Sequence, residues 1–209
     1  FELMTDYPKT DEITLKVNEI AKSTNFKISL RIPFWTENVS LKVNGKTTKL
    51  VNENGYATIN RKWKTGDTIW LKLPMEPRLE PTKDNPNVVA IMSGPLVLAA
   101  DLGDAKESFD GVTPALVGNN LLASLVPTNE PNVFQTKGSG RPNDLTFKPF
   151  YSEWERRTAV YFPKFTDAEW GKEQERLATE EARLKDLQAR SVDVMKLGER
   201  KEEKAHSLV

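Results

Sequence analysis

Four of the five tryptophans have the side chains best suited to contact a carbohydrate, because a flat indole ring can stack on the face of a furanose or pyranose. These candidates are Trp35, Trp63, Trp70 and Trp154. Large aromatic side chains more often fill a core or an interface, so packing is the alternative for each of them. Trp70 alternates with Ile69 and Leu71, and we therefore expect it to face away from both.

The acidic residues include no catalytic pair that the sequence identifies. Two suitably spaced carboxylates hydrolyse glycosidic bonds in many enzymes, but spacing in the chain does not give their distance in space. Glu153 and Glu155 flank Trp154 and are either functional or simply exposed and ion-paired. Asp67 follows Gly66 in a turn, where Asp commonly accepts hydrogen bonds from its own backbone. We predict no catalytic residue and no metal site in this chain.

The composition excludes several classes of protein. The 209 residues include no cysteine, which removes disulfides, thiolate metal ligands and cysteine nucleophiles. Lys and Arg total 30, as do Asp and Glu, whereas nucleic-acid binders carry a basic excess. No apolar run reaches the roughly 18–20 residues of a membrane span. We predict neither a nucleic-acid nor a membrane partner. The only histidine, His206, lies in a charged tail and is expected to be solvated.

The first half of the chain has the pattern of a β-sandwich. Apolar and polar residues alternate in several short runs, as in strands with one buried face; these runs are residues 13–17, 26–32, 39–43, 56–59 and 68–73. Pro33 is expected to end the second run. Asn44-Gly45 and Asn54-Gly55 are strong hairpin signals, because both residue types tolerate positive φ. Turns recur about every 8–12 residues, which is typical of a sandwich or barrel.

The remainder divides into an irregular β portion and a helix. Residues 88–92 and 96–100 are apolar without alternation and are predicted as core strands, while residues 74–86 are predicted to form a loop or an edge crossing. Residues 101–144 have no clean period, and 137–142 are predicted to form a flexible loop. Residues 158–162 favour a strand. Thr166 and Glu169 match a capping box at the start of a helix that extends to about Arg190.

The predicted fold is therefore mainly β: an antiparallel, jelly-roll-like β-sandwich, a second irregular β portion and a C-terminal α-helix. The predicted division places the sandwich core in residues 1–100. The irregular, loop-rich β segment in residues 101–165 either completes the sandwich or forms a second small β unit. Residues 166–209 are the helix and a charged tail, which we expect to be poorly ordered. The chain begins Phe1-Glu2-Leu3, and we interpret it as a piece of a longer protein.

An ordered series of short motifs resembles the C-terminal β-sandwich region of the β-L-arabinofuranosidase family, glycoside hydrolase family 127. The series is Thr5-Asp6-Tyr7-Pro8, Leu30-Arg31-Ile32-Pro33-Phe34-Trp35, Val43-Asn44-Gly45, Gly55-Tyr56-Ala57-Thr58-Ile59, Trp63-Lys64-Thr65-Gly66-Asp67, Leu73-Pro74-Met75 and Ser93-Gly94-Pro95-Leu96-Val97. Each motif is weak by itself, but their order and spacing over residues 5–100 make the match specific. Pro149-Phe150-Tyr151 resembles a later element of the same proteins.

The resemblance implies a larger enzyme whose chemistry lies elsewhere. Family members carry an (α/α)6 catalytic barrel, in which a Cys nucleophile acts near a zinc held by further Cys and a Glu. This chain has no Cys, so none of those residues is carried over, no cofactor is expected in it, and zinc is expected only in the parent's catalytic domain. The expected partners are that barrel and possibly a glycan, and an extracytoplasmic location is favoured for the parent.

The resemblance leaves three functions open. The first is an accessory module of a glycoside hydrolase that acts on arabinose-containing plant glycans, which supports the barrel and is itself inactive. The second is an independent carbohydrate-binding module, which exposed tryptophans on one face would favour. The third is a structural sandwich without sugar contact.

Overall fold

The alternating runs of the N-terminal half form the strands of a sandwich in a computed structural model that describes residues 1–108 and 113–191. One sheet has the order β1-β2-β8-β4-β5 and the other the order β3-β7-β6. Their bounds are β1 (Glu2–Thr5), β2 (Glu12–Lys16), β3 (Thr24–Arg31), β4 (Ser40–Val43), β5 (Lys46–Thr47), β6 (Asn52–Glu53), β7 (Tyr56–Trp63) and β8 (Thr68–Lys72).

Local turn chemistry sets the register of this sandwich. Asn44 and Gly45 have φ of 51° and 74° and join β4 to β5, and Asn54 and Gly55, at 53° and 81°, join β6 to β7. Two successive residues at positive φ are what a type I′ hairpin requires. Both predicted hairpins are confirmed. β3 ends at Arg31, before Pro33, as predicted.

Period-two alternation places one apolar face of these strands in a shared core. On β4 and β8 the buried residues are Leu41, Val43, Ile69 and Leu71, with more exposed residues between them. The core they form also includes Val17, Ile32, Ala57, Ile59, Trp63 and Leu73. All of these residues precede Pro74, so this core is complete before the second β region begins.

The second region is a ten-stranded sheet with its own core. Its central order is β13-β14-β16-β11-β10-β18-β12-β15, with β9 paired to β10 and β17 to β11. The strands are β9 (Pro77–Pro81), β10 (Val88–Ser93), β11 (Leu96–Asp104), β12 (Ala115–Val117), β13 (Leu125–Pro127), β14 (Phe134–Thr136), β15 (Gly140–Arg141), β16 (Thr146–Pro149), β17 (Arg156–Ala159) and β18 (Tyr161–Phe165). Short 3-10 helices occupy Leu122–Ser124 and Phe150–Ser152.

Residues that are distant in sequence meet in this second core. Val89, Ile91 and Leu98 from β10 and β11 pack with Phe147 and Phe162, whose ring centroids lie 5.2 Å apart in an edge-to-face arrangement. The register of β12 with β18 is parallel, whereas the other described strand pairs are antiparallel. The prediction of a mainly β, antiparallel fold with one C-terminal helix is confirmed.

Three local predictions differ from the structure. Residues 77–81, expected within a loop or an edge crossing, form the strand β9 at the edge of β10. Residues 88–100, grouped with the N-terminal sandwich in the predicted division, pair within the ten-stranded sheet. The 137–142 loop is not loose: the Asp144 carboxylate accepts hydrogen bonds from Thr136 Oγ1 (2.9 Å) and from the N–H of Gly138 (2.8 Å), and Gly140–Arg141 forms β15.

The helix α1 (Asp167–Arg190) belongs to a second unit, separate from residues 1–165. Its predicted capping box is confirmed, since Glu169 N–H donates to Thr166 Oγ1 (3.3 Å) and Thr166 N–H donates to the Glu169 carboxylate (2.7 Å). It buries none of its residues and carries four ion pairs along its length: Glu173–Arg176, Glu180–Arg183, Glu181–Lys185 and Asp186–Arg190. Within the described ranges no helix is both long and apolar enough to cross a membrane. His206 and the charged tail lie outside the described residues.

Candidate functional site

Trp63 is a core residue, which corrects its prediction as a sugar contact. Its side chain is 0% exposed, and its indole N–H donates to the carbonyl of Phe26 (3.0 Å). The Phe26 ring lies 6.1 Å from it, and the Arg61 guanidinium lies 5.1 Å from its centroid. A ring that is enclosed on all sides cannot stack on a ligand without opening of the fold. The signal was present in the sequence, because Ala57, Ile59 and Trp63 share one face of β7 at even spacing.

Trp35 and Trp70 are partly exposed but already have partners. Trp35 packs against the sandwich core. Trp70 lies on the opposite face of β8 from Ile69 and Leu71, as expected, with the ammonium of Lys42 4.5 Å from its ring centroid. Its indole N–H also donates to Glu12 Oε2 (3.1 Å). The cation above its ring and the carboxylate at its edge indicate that Trp70 stabilises the outer surface of this sheet.

Trp154 is the one predicted contact that the structure leaves open, with 82% of its surface exposed. It follows the 3-10 helix Phe150–Ser152, in which Phe150 and Tyr151 are also exposed. The turn is held by Ser152 Oγ, which donates to the Pro149 carbonyl (2.7 Å), and by Glu153 N–H, which donates to the Phe150 carbonyl (3.2 Å). Three aromatic side chains within five residues therefore project from a fixed turn.

Glu153 lies beneath this turn, whereas Glu155 is exposed. The Glu153 side chain is buried, with a residue exposure of 5%; its Oε1 accepts from Ser152 Oγ (3.2 Å) and lies 3.9 Å from Lys148 Nζ. Its Oε2 is buried without a hydrogen-bond partner. Lys148 Nζ also lies 3.6 Å from Asp101 Oδ2. The acidic and basic groups of this turn thus form one connected cluster.

Asp101 is the central acid of that cluster and is held ionised. Arg156 donates to Asp101 Oδ1 from both Nε (2.9 Å) and Nη2 (2.8 Å). Burial raises the pKa of Asp101, but hydrogen bonds from the Gly103 N–H and from Arg156, together with the charges of Arg156 and Lys148, outweigh burial and lower it. Such a carboxylate suits an ion pair and not proton donation.

Asp67 performs a structural role in the turn before β8, as predicted. The residue is 1% exposed; Asn44 Nδ2 donates to its Oδ1 (2.8 Å), and the Lys64 N–H donates to its Oδ2 (3.0 Å). Asn44 Oδ1 in turn accepts from the Thr68 N–H (2.8 Å). Burial raises the pKa of Asp67, but the hydrogen bonds from Asn44 and Lys64 and the charge of Arg61 outweigh it and lower the pKa.

Several acids of the described ranges are held in their ionised form. Hydrolysis of a glycosidic bond needs a carboxylic acid whose pKa is raised so that it can donate a proton. The pKa displacements resolved for Asp and Glu in these ranges are all downward, at Asp67, Asp84, Asp101, Asp144, Glu173, Glu180 and Glu181. The same ranges contain no group of three or more His, Cys, Asp or Glu residues that could hold a metal ion.

An open groove of about 730 Å³ on the outer face of the large sheet is the concave site that sequence reasoning missed. Strand register explains its floor: Glu80 and Tyr161 both pair with Ala90, and Met92 pairs with Val97. Directly paired residues point to the same face, opposite to the core residues Val89 and Ile91. We call this site the outer-face groove; its lining residues are Glu80, Pro81, Thr82, Lys83, Ala90, Met92, Val97, Phe150, Val160 and Tyr161.

The two exposed rings of the outer-face groove are Phe150 and Tyr161, which are 52% and 61% exposed. Neither was predicted as a site residue. Tyr161 lies within the run predicted as a strand, and Phe150 within a motif that contributed only to the family resemblance. The one signal that bears on them is strand alternation, since Tyr161 faces opposite to the buried Phe162.

Comparisons with known proteins show a resemblance to one family. Residues 1–75 match the family model described as the β-L-arabinofuranosidase, GH127 middle domain. None of the curated proteins matches the sequence. That description refines the predicted C-terminal β-sandwich region to a middle domain.

Solved structures share the fold over most of the chain. A GH127 β-L-arabinofuranosidase from Geobacillus stearothermophilus T6 is 22% identical with a TM-score of 0.62, and the match covers 78% of this chain and 30% of that one. A protein described as a glycoside hydrolase (23% identity, TM-score 0.58) and a GH127 β-arabinofuranosidase (24%, 0.59) match over the same 78% of this chain and over 32% and 31% of theirs. The chain thus spans about a third of these structures. The resemblance to the β-L-arabinofuranosidase family GH127 is confirmed, by its middle-domain model for residues 1–75 and by shared fold for most of the chain.

Proposed function

We propose that this chain is a non-catalytic accessory region of a larger β-L-arabinofuranosidase-type glycoside hydrolase that acts on arabinose-containing plant glycans. Its role is to support the (α/α)6 catalytic barrel of that protein. The observation that carries the proposal is the match of residues 1–75 to the GH127 middle domain in a chain that spans only about a third of its structural relatives.

The absence of a catalytic role is supported by chemistry within the chain. The sequence has no cysteine to serve as a nucleophile. Asp101 and Glu153, two acids near the exposed aromatic turn, are ion-paired, and Asp101 has a lowered pKa. A lowered pKa favours the ionised form, which cannot protonate a leaving group.

The zinc that the family implies does not fit the residues of this chain. A zinc site of the expected kind needs thiolates, and the sequence supplies none. In the ranges that the structure describes, the acidic residues and histidines form no cluster of three that could replace them. We therefore assign the zinc to the catalytic part of the longer protein and derive no step through it here.

The catalytic part of the proposal is tested with the chain itself. We expect no turnover of an aryl β-L-arabinofuranoside by the purified chain, with or without added zinc. Sustained turnover that a point substitution within the chain abolishes would overturn the proposal. An inactive preparation whose circular dichroism shows folded β-structure excludes trivial loss of activity by unfolding.

The supporting role is tested in the longer polypeptide that carries this region. Deletion of the segment equivalent to residues 1–165 is expected to lower the Tm and the activity of the remaining catalytic part. The reason is that the deletion exposes apolar surface that the region would cover. Unchanged Tm and unchanged activity after deletion would contradict a supporting role.

Carbohydrate binding is a second candidate function, and one observation favours it. The outer-face groove combines exposed aromatic rings with charged and hydroxyl side chains. Its residues differ from the tryptophans that the sequence suggested. Binding at this groove is compatible with an accessory role, because a non-catalytic region of a glycoside hydrolase can hold a glycan near the enzyme.

A further inference from the structure

We propose that the outer-face groove binds a pentose-containing saccharide. The inference rests on the proposed function only for the choice of pentose; the site itself follows from the side chains that line it. Four properties of the groove support this binding: the side chains of its floor and walls, the polar groups of its rim, the fixed backbone of its walls and its size.

The floor and walls suit the apolar faces of a sugar ring. Ala90, Met92 and Val97 supply an aliphatic floor, and the half-exposed rings of Phe150 and Tyr161 rise beside it. The C–H groups on one face of a furanose or pyranose form an apolar surface that packs against such side chains. Aromatic rings contribute large contact areas with little loss of conformational entropy.

The rim suits the hydroxyl groups of the same ligand. Glu80 supplies a carboxylate that accepts hydrogen bonds, and its Oε2 lies 3.5 Å from Arg78 Nε, which limits its movement. Thr82 Oγ1 donates to the Asn85 carbonyl (2.8 Å), so its lone pairs remain able to accept. The Lys83 ammonium carries three donors. A polyhydroxylated ligand needs both acceptors and donors at its edge, and the rim provides both.

The walls are fixed before any ligand arrives. Phe150 begins a 3-10 turn closed by the Glu153 N–H and by Ser152 Oγ, and the turn stands on the buried side chain of Glu153. Tyr161 is held in β18 by pairing with Ala90 of β10. A backbone that is already fixed in the free protein loses little entropy on binding, which raises the affinity of a small ligand.

The size of the groove favours a small ligand over a protein partner. Its volume of about 730 Å³ falls within the roughly 300–1,000 Å³ of small-molecule pockets. Ten residues line it, whereas a stable protein interface uses about 20–30 residues on each side.

The test is a titration of the intact chain, followed by NMR chemical shifts and by calorimetry. The probes are methyl β-L-arabinofuranoside and an arabinan-derived disaccharide, with p-cresol as an apolar probe of similar ring size. We expect saturable binding of the disaccharide with shifts at groove residues. Phe150→Ala and Tyr161→Ala should each weaken it about tenfold, as expected for loss of a contact of about 1.4 kcal/mol. Tyr161→Phe keeps the ring and should retain most of the affinity.

A matched control locates the binding. Tyr56→Ala removes an exposed aromatic from β7 in the other region. This variant should bind as the unmodified chain does. Amide NMR spectra that match outside the substituted positions show that each variant is folded.

Several outcomes would overturn the inference. Absence of saccharide binding at millimolar concentration is one, and equal binding by the unmodified chain and both groove variants is another. Binding of p-cresol alone would identify an unspecific apolar pocket, and self-association lost in Phe150→Ala would identify a protein interface. None of these outcomes restores or removes turnover of the aryl glycoside, so failure here remains distinct from failure of the proposed accessory role.

Discussion

The two β regions differ in the burial of a tryptophan and in the hydrogen bonding of a buried acid. In the sandwich, Trp63 is fully enclosed and Asp67 is buried with a hydrogen-bond donor for each carboxylate oxygen. In the ten-stranded region, Trp154 is exposed and the buried Glu153 keeps one oxygen without a partner. Trp63 and Asp67 thus stabilise the sandwich from within, whereas Trp154 projects from the surface of the second region.

This difference indicates where binding should be sought. Buried polar groups that are fully satisfied fix a fold, and they seldom have capacity left for a ligand. Exposed aromatics beside a concave apolar floor are typical of a contact surface. The sandwich carries most of the motifs that resemble the family GH127, and the second region carries the proposed binding site. The two sets of residues overlap at Val97 and Phe150, which belong to the motif series and also line the outer-face groove.

The sharpest test of the contrast compares the two tryptophans. Trp63→Ala should lower the free energy of unfolding by about 4 kcal/mol, because it empties a core site and leaves the Phe26 carbonyl unpaired. Trp154→Ala should change it by less than about 0.5 kcal/mol, since a highly exposed side chain loses few contacts. Urea unfolding monitored by circular dichroism measures both. Equal losses in the two variants would refute the contrast.

The next largest effect is expected at the acid of the sandwich. Asp67→Ala removes the acceptor of Asn44 and of the Lys64 N–H in a buried turn, so we expect a loss of about 3 kcal/mol. Glu153→Gln, which keeps the size of its side chain and can donate to a carbonyl, should cost about 1 kcal/mol or less. The same unfolding assay compares them. A larger loss of unfolding free energy in Glu153→Gln than in Asp67→Ala would show that Glu153 has the stronger hydrogen bonds, contrary to this contrast.

Local signals made the sandwich the more predictable region. Its hairpins are encoded by adjacent residues, Asn44-Gly45 and Asn54-Gly55, whose tolerance of positive φ needs no tertiary information. Alternation also predicted the outward face of Trp70. The same alternation places Trp63 on the buried face of β7 with Ala57 and Ile59, whereas its prediction as a sugar contact rested on the chemistry of the indole ring alone.

The second region depends on partners that are distant in sequence. The prolines of β9 favoured a loop or an edge crossing. They are compatible with a strand because they occupy the two ends of β9, which lies at an edge. Phe150 and Glu80 line one groove although 70 positions separate them, and no periodicity of the chain relates them. The fold class could therefore be predicted from sequence, whereas the outer-face groove required the strand register.

Glycine substitutions compare a tight position in the second region with an open one. A Cβ on Gly140 would lie 2.5 Å from the Asn143 carbonyl oxygen and 2.9 Å from Asp144 Cα, both backbone atoms that cannot move cheaply. Gly140→Ala should cost about 2 kcal/mol through this overpacking. Gly171→Ala, in α1 with nothing within 4 Å of the new Cβ, should instead raise helicity. Differential scanning calorimetry and circular dichroism measure the pair; an unchanged Tm for Gly140→Ala would show that the 137–142 loop yields easily.

The smallest expected effect is the acid dependence of the two regions. The pKa values of Asp67 and Asp101 are lowered in the folded chain, against an unfolded value of about 3.9. The folded state then binds fewer protons, so this stabilisation is fully present well above pH 3.9 and is lost as the pH falls through the folded values.

Asp67→Asn should flatten the decline in unfolding free energy between about pH 5 and pH 2, as followed by urea titration at each pH. Asp101→Asn should flatten it less, because solvent around its exposed partner Arg156 already weakens that pair. A larger change from Asp101→Asn would show that the surface cluster, and not the enclosed turn, dominates the response to acid.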